Sequence, residues 1–253
     1  MAFINRDGVQ IYYETHGAGP PVLLTHGYTA TLRMWDPQVA VLAERYRVVC
    51  WDMRGHGMSD SPEDPRVYTH AATVADMAAV LDACGIERAV VGGLSLGGFV
   101  SLVFHLVHPE RVSALMLFDT GPGYRKAEAR AVWNQLAESY AARFEAEGLA
   151  ALGRGAEVRV ATHRSARGLA HAARGILAQQ DGRVIESLPQ IAVPTLLVVG
   201  AEDKPFLAGM DYMAARIPGA TQVVIDGAGH APNLERPDAF NQAVAAFLAR
   251  VAG

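Results

Sequence analysis

The stretch VVGGLSLGGF, residues 90–99, decides how this chain folds. An apolar run short enough for a buried strand leads into it, and residues 99–107 are apolar almost throughout and long enough for a buried helix. Between the two lies GLSLG, residues 93–97, a G-x-S-x-G pattern typical of a sharp strand-to-helix turn that exposes its central serine. Glycine suits both flanking positions because such a turn is too crowded for a side chain.

Ser95 is therefore predicted to stand above the carboxyl end of a sheet, at the N-terminus of a helix. Free backbone N–H groups and the helix dipole favour a developing negative charge at that position. The simpler interpretation is a tight βα connection that carries an ordinary serine. We favour the exposed serine because a strand-like run and a helix-like run lie where such a turn requires them.

Length and composition are typical of one large α/β domain, or of one such domain with an insertion. The chain has 253 residues, 51% of them hydrophobic, and a net charge of −4 that gives no reason to expect a nucleic-acid partner. The two cysteines, Cys50 and Cys84, are interpreted as buried free thiols, since one pair offers neither a metal-binding spacing nor a redox motif.

Targeting and membrane signals are not evident in the sequence. The N-terminus has no basic region followed by a long apolar one, and no apolar stretch reaches the roughly 18 residues of a membrane span. We therefore expect a cytoplasmic protein that does not engage a membrane. The glycine-rich residues 52–60 fit neither the dinucleotide-binding nor the P-loop spacing, so we expect no cofactor.

Strand-like and helix-like segments alternate along the first half of the chain, which predicts βαβ crossovers and a mainly parallel sheet. The alternation stops after residue 120 and resumes at residue 194. The predicted strands are residues 9–13 (paired with 3–4 in an opening hairpin), 22–25, 47–51, 89–91, 112–118, 195–199 and 221–225. The predicted helices are residues 35–45, 73–84, 99–107, 128–147, 164–180, 207–216 and 238–251.

Residues 122–189 contain helical patterns but no convincing strand, and we interpret them as a helical cap inserted into a core formed by residues 1–121 and 190–253. An insertion that leaves the carboxyl edge of the sheet and returns to it should pack over Ser95. Its first helix carries a stripe of apolar residues at helical spacing: Trp133, Leu136, Tyr140 and Phe144. Two interpretations of the stripe stay open: it lines the substrate pocket, or it attaches the cap to the core.

A serine hydroxyl needs a base, usually a histidine that a carboxylate orients. Of the nine histidines, His230 is the best candidate because it lies in the loop DGAGH, residues 226–230, directly after the last predicted strand. Glycines allow that loop to bring the imidazole over the sheet. Four other histidines lie on the helix after the serine or in the insertion: His105, His108, His163 and His171.

The orienting carboxylate has two candidates at the ends of predicted strands. Asp203 comes after the strand 195–199, and Asp119 directly follows the strand 112–118. Sites of open α/β sheets form at the carboxyl ends of strands, so both positions are suitable. Asp203 is preferred because it yields the chain order Ser, Asp, His expected of a serine on such a turn. Asp119 is interpreted as a turn residue at the entry to the insertion.

Hydrolysis also requires hydrogen-bond donors for the oxyanion. The backbone N–H of Leu96, directly after the serine, is one candidate, and the backbone N–H of Tyr28, after the strand 22–25, is the other. Side-chain identity matters little at these positions because the backbone supplies the donor. His26, in the same loop as Tyr28, is interpreted as a structural residue. No residue pattern indicates a metal site.

The sequence resembles α/β-hydrolase-fold proteins over nearly its whole length. The motifs that carry the resemblance are HG at 26–27, D-x-R-G-H-G-x-S at 52–59, G-x-S-x-G-G at 93–98, G-x-x-D at 200–203 and GH at 229–230. The resemblance implies an eight-stranded, mostly parallel sheet flanked by helices, with a cap inserted after the sixth strand. It also implies a catalytic triad of Ser95, Asp203 and His230. Residues 32–38, LRMWDPQ, are similar to the corresponding stretch of β-ketoadipate enol-lactone hydrolases.

These features together predict a serine hydrolase that cleaves small carboxylic esters or lactones through an acyl-enzyme on Ser95, as a monomer or a homodimer. Serine at this position distinguishes the chain from haloalkane dehalogenases and epoxide hydrolases, which have aspartate there. A C–C bond hydrolase of meta-cleavage-type dicarbonyl acids is an alternative, although the chain lacks the Ser-Gly-Pro-Gly type of loop that such enzymes carry after residues 26–27. A ligand-binding receptor on the same fold is a second alternative, which a complete triad disfavours.

Overall fold

The structure, a computed structural model, describes residues 2–251 and contains a single eight-stranded sheet. Its strands are β1 (Ala2–Arg6), β2 (Val9–His16), β3 (Pro21–Thr25), β4 (Arg47–Trp51), β5 (Ala89–Leu94), β6 (Val112–Phe118), β7 (Thr195–Gly200) and β8 (Thr221–Ile225). They are arranged in the order β1-β2-β4-β3-β5-β6-β7-β8. β2 runs antiparallel to both neighbours, and all other neighbouring pairs are parallel. The predicted mostly parallel sheet is confirmed.

Helices cover both faces of this sheet. They are α1 (Asp36–Leu42), α2 (His70–Ala83), α3 (Leu96–Val107), α4 (Ala127–Glu147), α5 (Ala156–Arg159), α6 (Ala166–Ala172), α7 (Arg183–Ser187), α8 (Lys204–Ala214), α9 (Pro232–Glu235) and α10 (Pro237–Val251). Apolar residues of α1 and α10 pack against one face, and those of α2, α3 and α8 pack against the other. Four of these helices, α4 to α7, lie between β6 and β7, so the insertion after the sixth strand is helical.

The central strands are apolar throughout because both of their faces are covered by helices. Every residue of β5 and β7 is buried. Side chains along a strand alternate between the two faces of a sheet. In β3, for example, Val22 and Leu24 belong to the apolar cluster beneath α1 and α10, whereas Leu23 belongs to the cluster on the opposite face. The chain therefore has two layers of apolar core separated by the sheet.

Strand predictions agree with the structure more closely than helix predictions. Three strands, β4, β6 and β8, have the predicted bounds. The predicted helix over 35–45 is a 3₁₀ turn over Leu32–Trp35 followed by the shorter α1. α8 begins at Lys204 instead of residue 207 because Pro205, whose fixed φ suits the first turn of a helix, lies at its start.

The predicted helix over 164–180 is divided by tertiary packing. α6 passes into a π-helical turn over Ala173–Leu177, a form that is rare and often found near functional sites. Gly175 in this turn lies against the segment that precedes α2, and a Cβ atom there would come within 1.8 Å of the Tyr68 carbonyl oxygen. The turn therefore approaches its neighbour more closely than any other residue type would allow.

The glycine-rich loop 52–60 is held by two side-chain carboxylates, one within the loop and one on α2. Asp52 accepts hydrogen bonds from the backbone N–H groups of Leu32 (2.8 Å) and Met58 (2.9 Å). Arg54 forms a bidentate pair with Asp76 of α2, with both distances 2.8 Å and both side chains buried. These contacts agree with a role of the loop in turn geometry.

Two side chains of the insertion attach it to this loop. His163 donates from Nε2 to the Thr29 carbonyl (2.9 Å) and accepts at Nδ1 from the Gly57 N–H (3.2 Å). Arg164 donates to backbone carbonyls of the same loop, Gly57 (3.2 Å) and Ser59 (3.2 Å) among them. Within residues 2–251, no helix is long and apolar enough to cross a membrane.

Candidate active site

Ser95 occupies a strained turn between β5 and α3. Its backbone angles, φ 55° and ψ −117°, lie in a region that residues with a side chain rarely adopt. Neighbouring segments hold this conformation in place. The Ser95 N–H donates to the Phe118 carbonyl (2.8 Å), and the Ser95 carbonyl accepts from the Thr120 hydroxyl (2.6 Å). β6 and the residues directly after it thus support the turn.

The two glycines that flank Ser95 allow close backbone contacts. A Cβ atom on Gly97 would lie 2.2 Å from the Thr25 carbonyl oxygen, and one on Gly93 would lie 2.5 Å from the Gly97 carbonyl carbon. Neither residue has a positive φ. Glycine is required at both positions because of crowding between β5, α3 and the end of β3.

The two candidate oxyanion donors lie beside the serine. Leu96 is the first residue of α3, so its N–H has no partner within the helix. The loop that carries Tyr28 lies close to the same turn: a Cβ atom on Gly27 would be 3.5 Å from the Ser95 Cβ. The Tyr28 hydroxyl donates to the Leu169 carbonyl of α6 at 2.9 Å, which fixes the loop against the insertion.

His26 is buried and maintains the shape of this loop, in agreement with its structural interpretation. Its Nδ1 donates to the Gly27 carbonyl (2.7 Å), and its Nε2 accepts from the Met53 N–H (3.0 Å). Both ring nitrogens are therefore used within the protein. Burial lowers the pKa of His26 to about 3, so the imidazole is neutral at any pH at which the protein is expected to work.

We expect His26→Gln to weaken the dependence of stability on pH. Between pH 6.5 and 3 the unfolded chain binds a proton at His26 that the folded chain rejects, so the free energy of unfolding falls as pH falls, by up to about 1.4 kcal/mol per pH unit from this residue. Urea unfolding at several pH values between 4 and 6 measures this slope. His108→Gln, which removes a partly exposed imidazole, is the control. Equal slopes for wild type and His26→Gln would contradict the prediction.

His230 and Asp203 are brought together at the carboxyl ends of the last two strands. His230 Nδ1 lies 2.7 Å from Asp203 Oδ2, and the Asp203 side chain is buried whereas that of His230 is 34% exposed. The Phe206 ring packs on the imidazole with 4.9 Å between ring centroids. Because an ionised carboxylate only accepts hydrogen bonds, Nδ1 carries the proton and Nε2 is left free to accept one.

The loop that carries His230 is positioned in part by Glu235, which sequence analysis did not single out. Glu235 accepts hydrogen bonds from the backbone N–H groups of Gly229 (2.7 Å) and Ala231 (3.1 Å), on either side of the histidine. The end of β7 also touches this loop, since a Cβ atom on Gly200 would lie 2.1 Å from the Gly229 carbonyl oxygen. The only sequence signal for Glu235 was its closeness to His230 along the chain.

Asp119 has a different position from that of a simple turn residue. Its φ of 40° does place it in a tight turn, but its carboxyl group is fully buried beside the His–Asp pair. Polar atoms of Asp119, Asp203 and His230 all lie within 4.8 Å of one another. Asp119 Oδ1 accepts from the Gly200 N–H (2.9 Å), and Oδ2 has no hydrogen-bond partner in residues 2–251. Burial, and then the nearby Asp203 carboxylate, raise the pKa of Asp119 well above its usual range.

These three side chains could by distance alone ligate a metal ion. A metal on His230 Nδ1 would, however, remove the proton that this atom donates to Asp203 at 2.7 Å. The arrangement fits a carboxylate-oriented base better than a ligand set.

Ser95 opens into a pocket of about 360 Å³. The pocket lies between the ends of β5 and β6, the start of α8 and the insertion. Its lining residues are Ser95, Leu96, Phe99, Thr120, Gly121, Pro122, Gly123, Tyr124, Trp133, Leu177, Gln179, Pro205, Phe206, Ala208 and Gly209. Phe206, which lines this pocket, also contacts the imidazole of His230 in the loop after β8. The size suits a small organic molecule.

The structure separates the four residues of the α4 stripe. Trp133 lines the pocket, where its indole N–H donates to the Leu177 carbonyl at 2.9 Å. Leu136 is 42% exposed and is not among the lining residues. Tyr140 and Phe144 pack against the Tyr28 ring, with centroid distances of 6.0 and 6.3 Å. Both interpretations of the stripe therefore have some support, each from different residues.

Comparison with known proteins agrees with this architecture. A family model for the alpha/beta hydrolase fold matches residues 20–171. The chain is 31% identical to "Putative carbamate hydrolase RutD" of Azorhizobium caulinodans, with 99% of each sequence covered. It is 30% identical to 3-oxoadipate enol-lactonase 2 of Acinetobacter baylyi, over 96% of this chain and 94% of the relative. A thermophilic esterase of known structure from Thermogutta terrifontis has a TM-score of 0.84 and 29% identity, over 100% of this chain and 99% of the esterase. This chain therefore belongs to the alpha/beta hydrolase fold family.

Proposed function

We propose that this hydrolase cleaves small carboxylic esters or lactones through an acyl-enzyme on Ser95. The observation that carries the proposal is the 2.7 Å hydrogen bond of Asp203 with His230, whose imidazole packs on Phe206, a wall residue of the pocket that Ser95 lines. The three residues follow β5, β7 and β8, and they stand in the order expected of a nucleophile, an acid and a base on this fold. The relatives' names, a carbamate hydrolase, an enol-lactonase and an esterase, agree with acyl transfer to water.

In the proposed reaction, Ser95 Oγ attacks the carbonyl carbon of the substrate while His230 Nε2 takes the hydroxyl proton. The negative charge that forms on the carbonyl oxygen is stabilised by the backbone N–H groups of Tyr28 and Leu96. The bond to the leaving alcohol oxygen then breaks, and His230 returns the proton to that oxygen. A water molecule, activated by the same imidazole, releases the acid from Ser95.

Residues 122–189 act in this proposal as a cap over the pocket, and residues 1–121 and 190–253 as the catalytic core. Trp133 and Leu177 supply part of the apolar wall from the insertion side. Tyr140 and Phe144 instead attach the cap to the core. Their rings pack on the ring of Tyr28, the residue whose backbone N–H is a candidate oxyanion donor. Cap packing and oxyanion geometry are thus linked through a single aromatic residue.

Labelling with an organophosphonate tests the proposed nucleophile. We expect p-nitrophenyl esters of short acids to be hydrolysed, and mass spectrometry after inhibition to find the adduct on the peptide that contains Ser95. The fraction of activity that is lost should equal the fraction of protein that carries the adduct. An adduct on another residue would reject the assignment of Ser95. Tight binding of esters without turnover would instead favour a ligand-binding receptor.

A further inference from the structure

The pocket beside Ser95 has a chemical character that restricts its ligand. All of its lining residues carry uncharged side chains, and most are apolar. A carboxylate in such a pocket would lose its hydration without gaining an opposite charge, which is costly. The part of the substrate that enters the pocket should therefore be uncharged.

Gln179 is a polar residue in the wall of this pocket, and its backbone is firmly held. Its N–H donates to Asn134 Oδ1 (2.8 Å), and its carbonyl accepts from Asn134 Nδ2 (2.9 Å). Asn134 belongs to α4, so this reciprocal pair ties residue 179 to the main helix of the insertion. Only 8% of Gln179 is exposed.

The side-chain amide of Gln179 is oriented by a third contact. Its Oε1 accepts the backbone N–H of Tyr124 at 3.0 Å. Only the oxygen of an amide can accept this hydrogen bond, so the opposite side of the group must be the amino group. The amide also lies next to Gly123, where a Cβ atom would come within 2.9 Å of Oε1 and 3.2 Å of the Phe99 ring. Since Gly123, Tyr124 and Phe99 all line the pocket, the amide group faces the same space.

The Gln179 amino group is available to a ligand, whereas two nearby donors are already used. Trp133 Nε1 donates to the Leu177 carbonyl, and the Thr120 hydroxyl donates to the Ser95 carbonyl. Within residues 2–251, the hydrogen bonds of Gln179 use its backbone and its Oε1, and none is donated by Nε2. A fixed, largely desolvated donor in an apolar wall is a typical device for orienting a ligand.

We propose that Gln179 determines substrate specificity by donating a hydrogen bond to a neutral oxygen acceptor, a ketone or ether oxygen, away from the scissile carbonyl. The inference rests on the proposed ester or lactone hydrolysis and names its substrate class: uncharged esters or lactones that carry such an acceptor. A site built to hydrogen-bond a substrate group discriminates strongly against an analogue without it, because the protein donor then stays unpaired.

Gln179→Glu gives a sharp test because it changes one atom. The carboxylate keeps an oxygen for the Tyr124 N–H and replaces the amino donor with an acceptor. The assay is run at about pH 8, since burial raises the pKa of a carboxyl group and a protonated one would still donate. Two series of esters are used, and each compares a compound with an analogue in which an ether oxygen replaces a methylene. In the series of p-nitrophenyl esters the replacement is in the acyl chain. In the series of alkyl esters it is in the alcohol.

In wild type we expect kcat/KM to favour the ether-containing member of one series over its alkyl counterpart by about 10-fold or more. Gln179→Glu should abolish that preference, so that the ratio of kcat/KM for the ether-containing ester to kcat/KM for its alkyl counterpart falls to about 1 or below. For an ester that carries a primary ammonium group in place of the ether oxygen, kcat/KM should instead be higher with Gln179→Glu than with wild type. Gln190→Glu, the same charge change at an exposed position, is the matched control and should leave all ratios unchanged.

Gln179→Leu, which removes donor and acceptor together, provides a second variant should the glutamate lower the melting temperature. It should also lose the preference for the ether. An unchanged ratio in both variants, with ester turnover and Ser95 labelling intact, would overturn the role of Gln179 and leave the proposed hydrolysis standing. Failure of wild type to hydrolyse any ester, with no adduct on Ser95, would overturn the proposed function and this inference with it.

Discussion

Ser95→Ala is expected to lower kcat for ester hydrolysis by about 10⁶-fold, the scale of loss when a serine nucleophile is removed. Without the hydroxyl there is no acyl-enzyme, and what remains is the stabilisation of direct water attack by the Tyr28 and Leu96 N–H groups. The fold should persist because the hydrogen bonds that hold the turn, to Phe118 and from Thr120, involve only the backbone of residue 95.

Steady-state kinetics and a thermal melt on the same preparation make this measurement. Ser101→Ala is the control, since it removes another buried hydroxyl from α3 that only donates to the Gly97 carbonyl at 2.7 Å. That variant should keep most of its activity. More than about one per cent residual activity in Ser95→Ala would mean that another group is the nucleophile.

Asp203→Asn is expected to lower kcat by about 10⁴-fold. The carboxylate accepts the Nδ1 proton of His230 at 2.7 Å, and this bond selects the tautomer in which Nε2 can act as a base. An amide can present its amino group to Nδ1, which favours the wrong tautomer, and it offers no charge to stabilise the imidazolium. Initial rates with a p-nitrophenyl ester at saturation measure the loss.

Asp119→Asn is the matched comparison and should cost much less activity. Burial and the neighbouring Asp203 carboxylate raise the pKa of Asp119, which favours its protonated, uncharged form. Asparagine resembles that form. It also keeps a side-chain oxygen that can accept the hydrogen bond from the Gly200 N–H, which is 2.9 Å long in the wild-type protein. A larger loss for Asp119→Asn than for Asp203→Asn would place the functional acid after β6 instead of β7.

Much of the fold was predictable because parallel strands covered by helices on both faces are continuous apolar runs. β6 was predicted with its observed bounds for this reason. Helix ends were less predictable, since they depend on neighbours in space. The π-helical turn over Ala173–Leu177 arises where Gly175 meets the Tyr68 carbonyl, two residues more than a hundred positions apart.

The candidate site was predictable where a residue is marked by its own local sequence. Ser95 lies between crowded glycines, and His230 lies in a glycine-containing loop after the last strand. Asp119 was predicted to be a turn residue, with which its φ of 40° agrees, but its burial beside Asp203 and His230 has no local sequence signal. Its closeness to Asp203 arises only because β6 and β7 are paired in the sheet.

The sequence by itself determined the α/β class, the order of the helix-like and strand-like segments, and the candidate nucleophile and base. These depend on hydrophobic period and on glycines at tight turns, which are local properties. The α/β-hydrolase family was inferred from the resemblance of the motifs, and Asp203 was preferred as the acid because of the chain order expected of a serine on such a turn. Tertiary structure alone decided which α4 residues face the pocket. It divided one helical stripe between the pocket wall at Trp133, the surface at Leu136 and the Tyr28 contact at Tyr140 and Phe144. Tertiary structure also oriented the Gln179 amide, whose oxygen accepts the backbone N–H of Tyr124. Such a partner depends on which distant segment of backbone is folded beside the side chain.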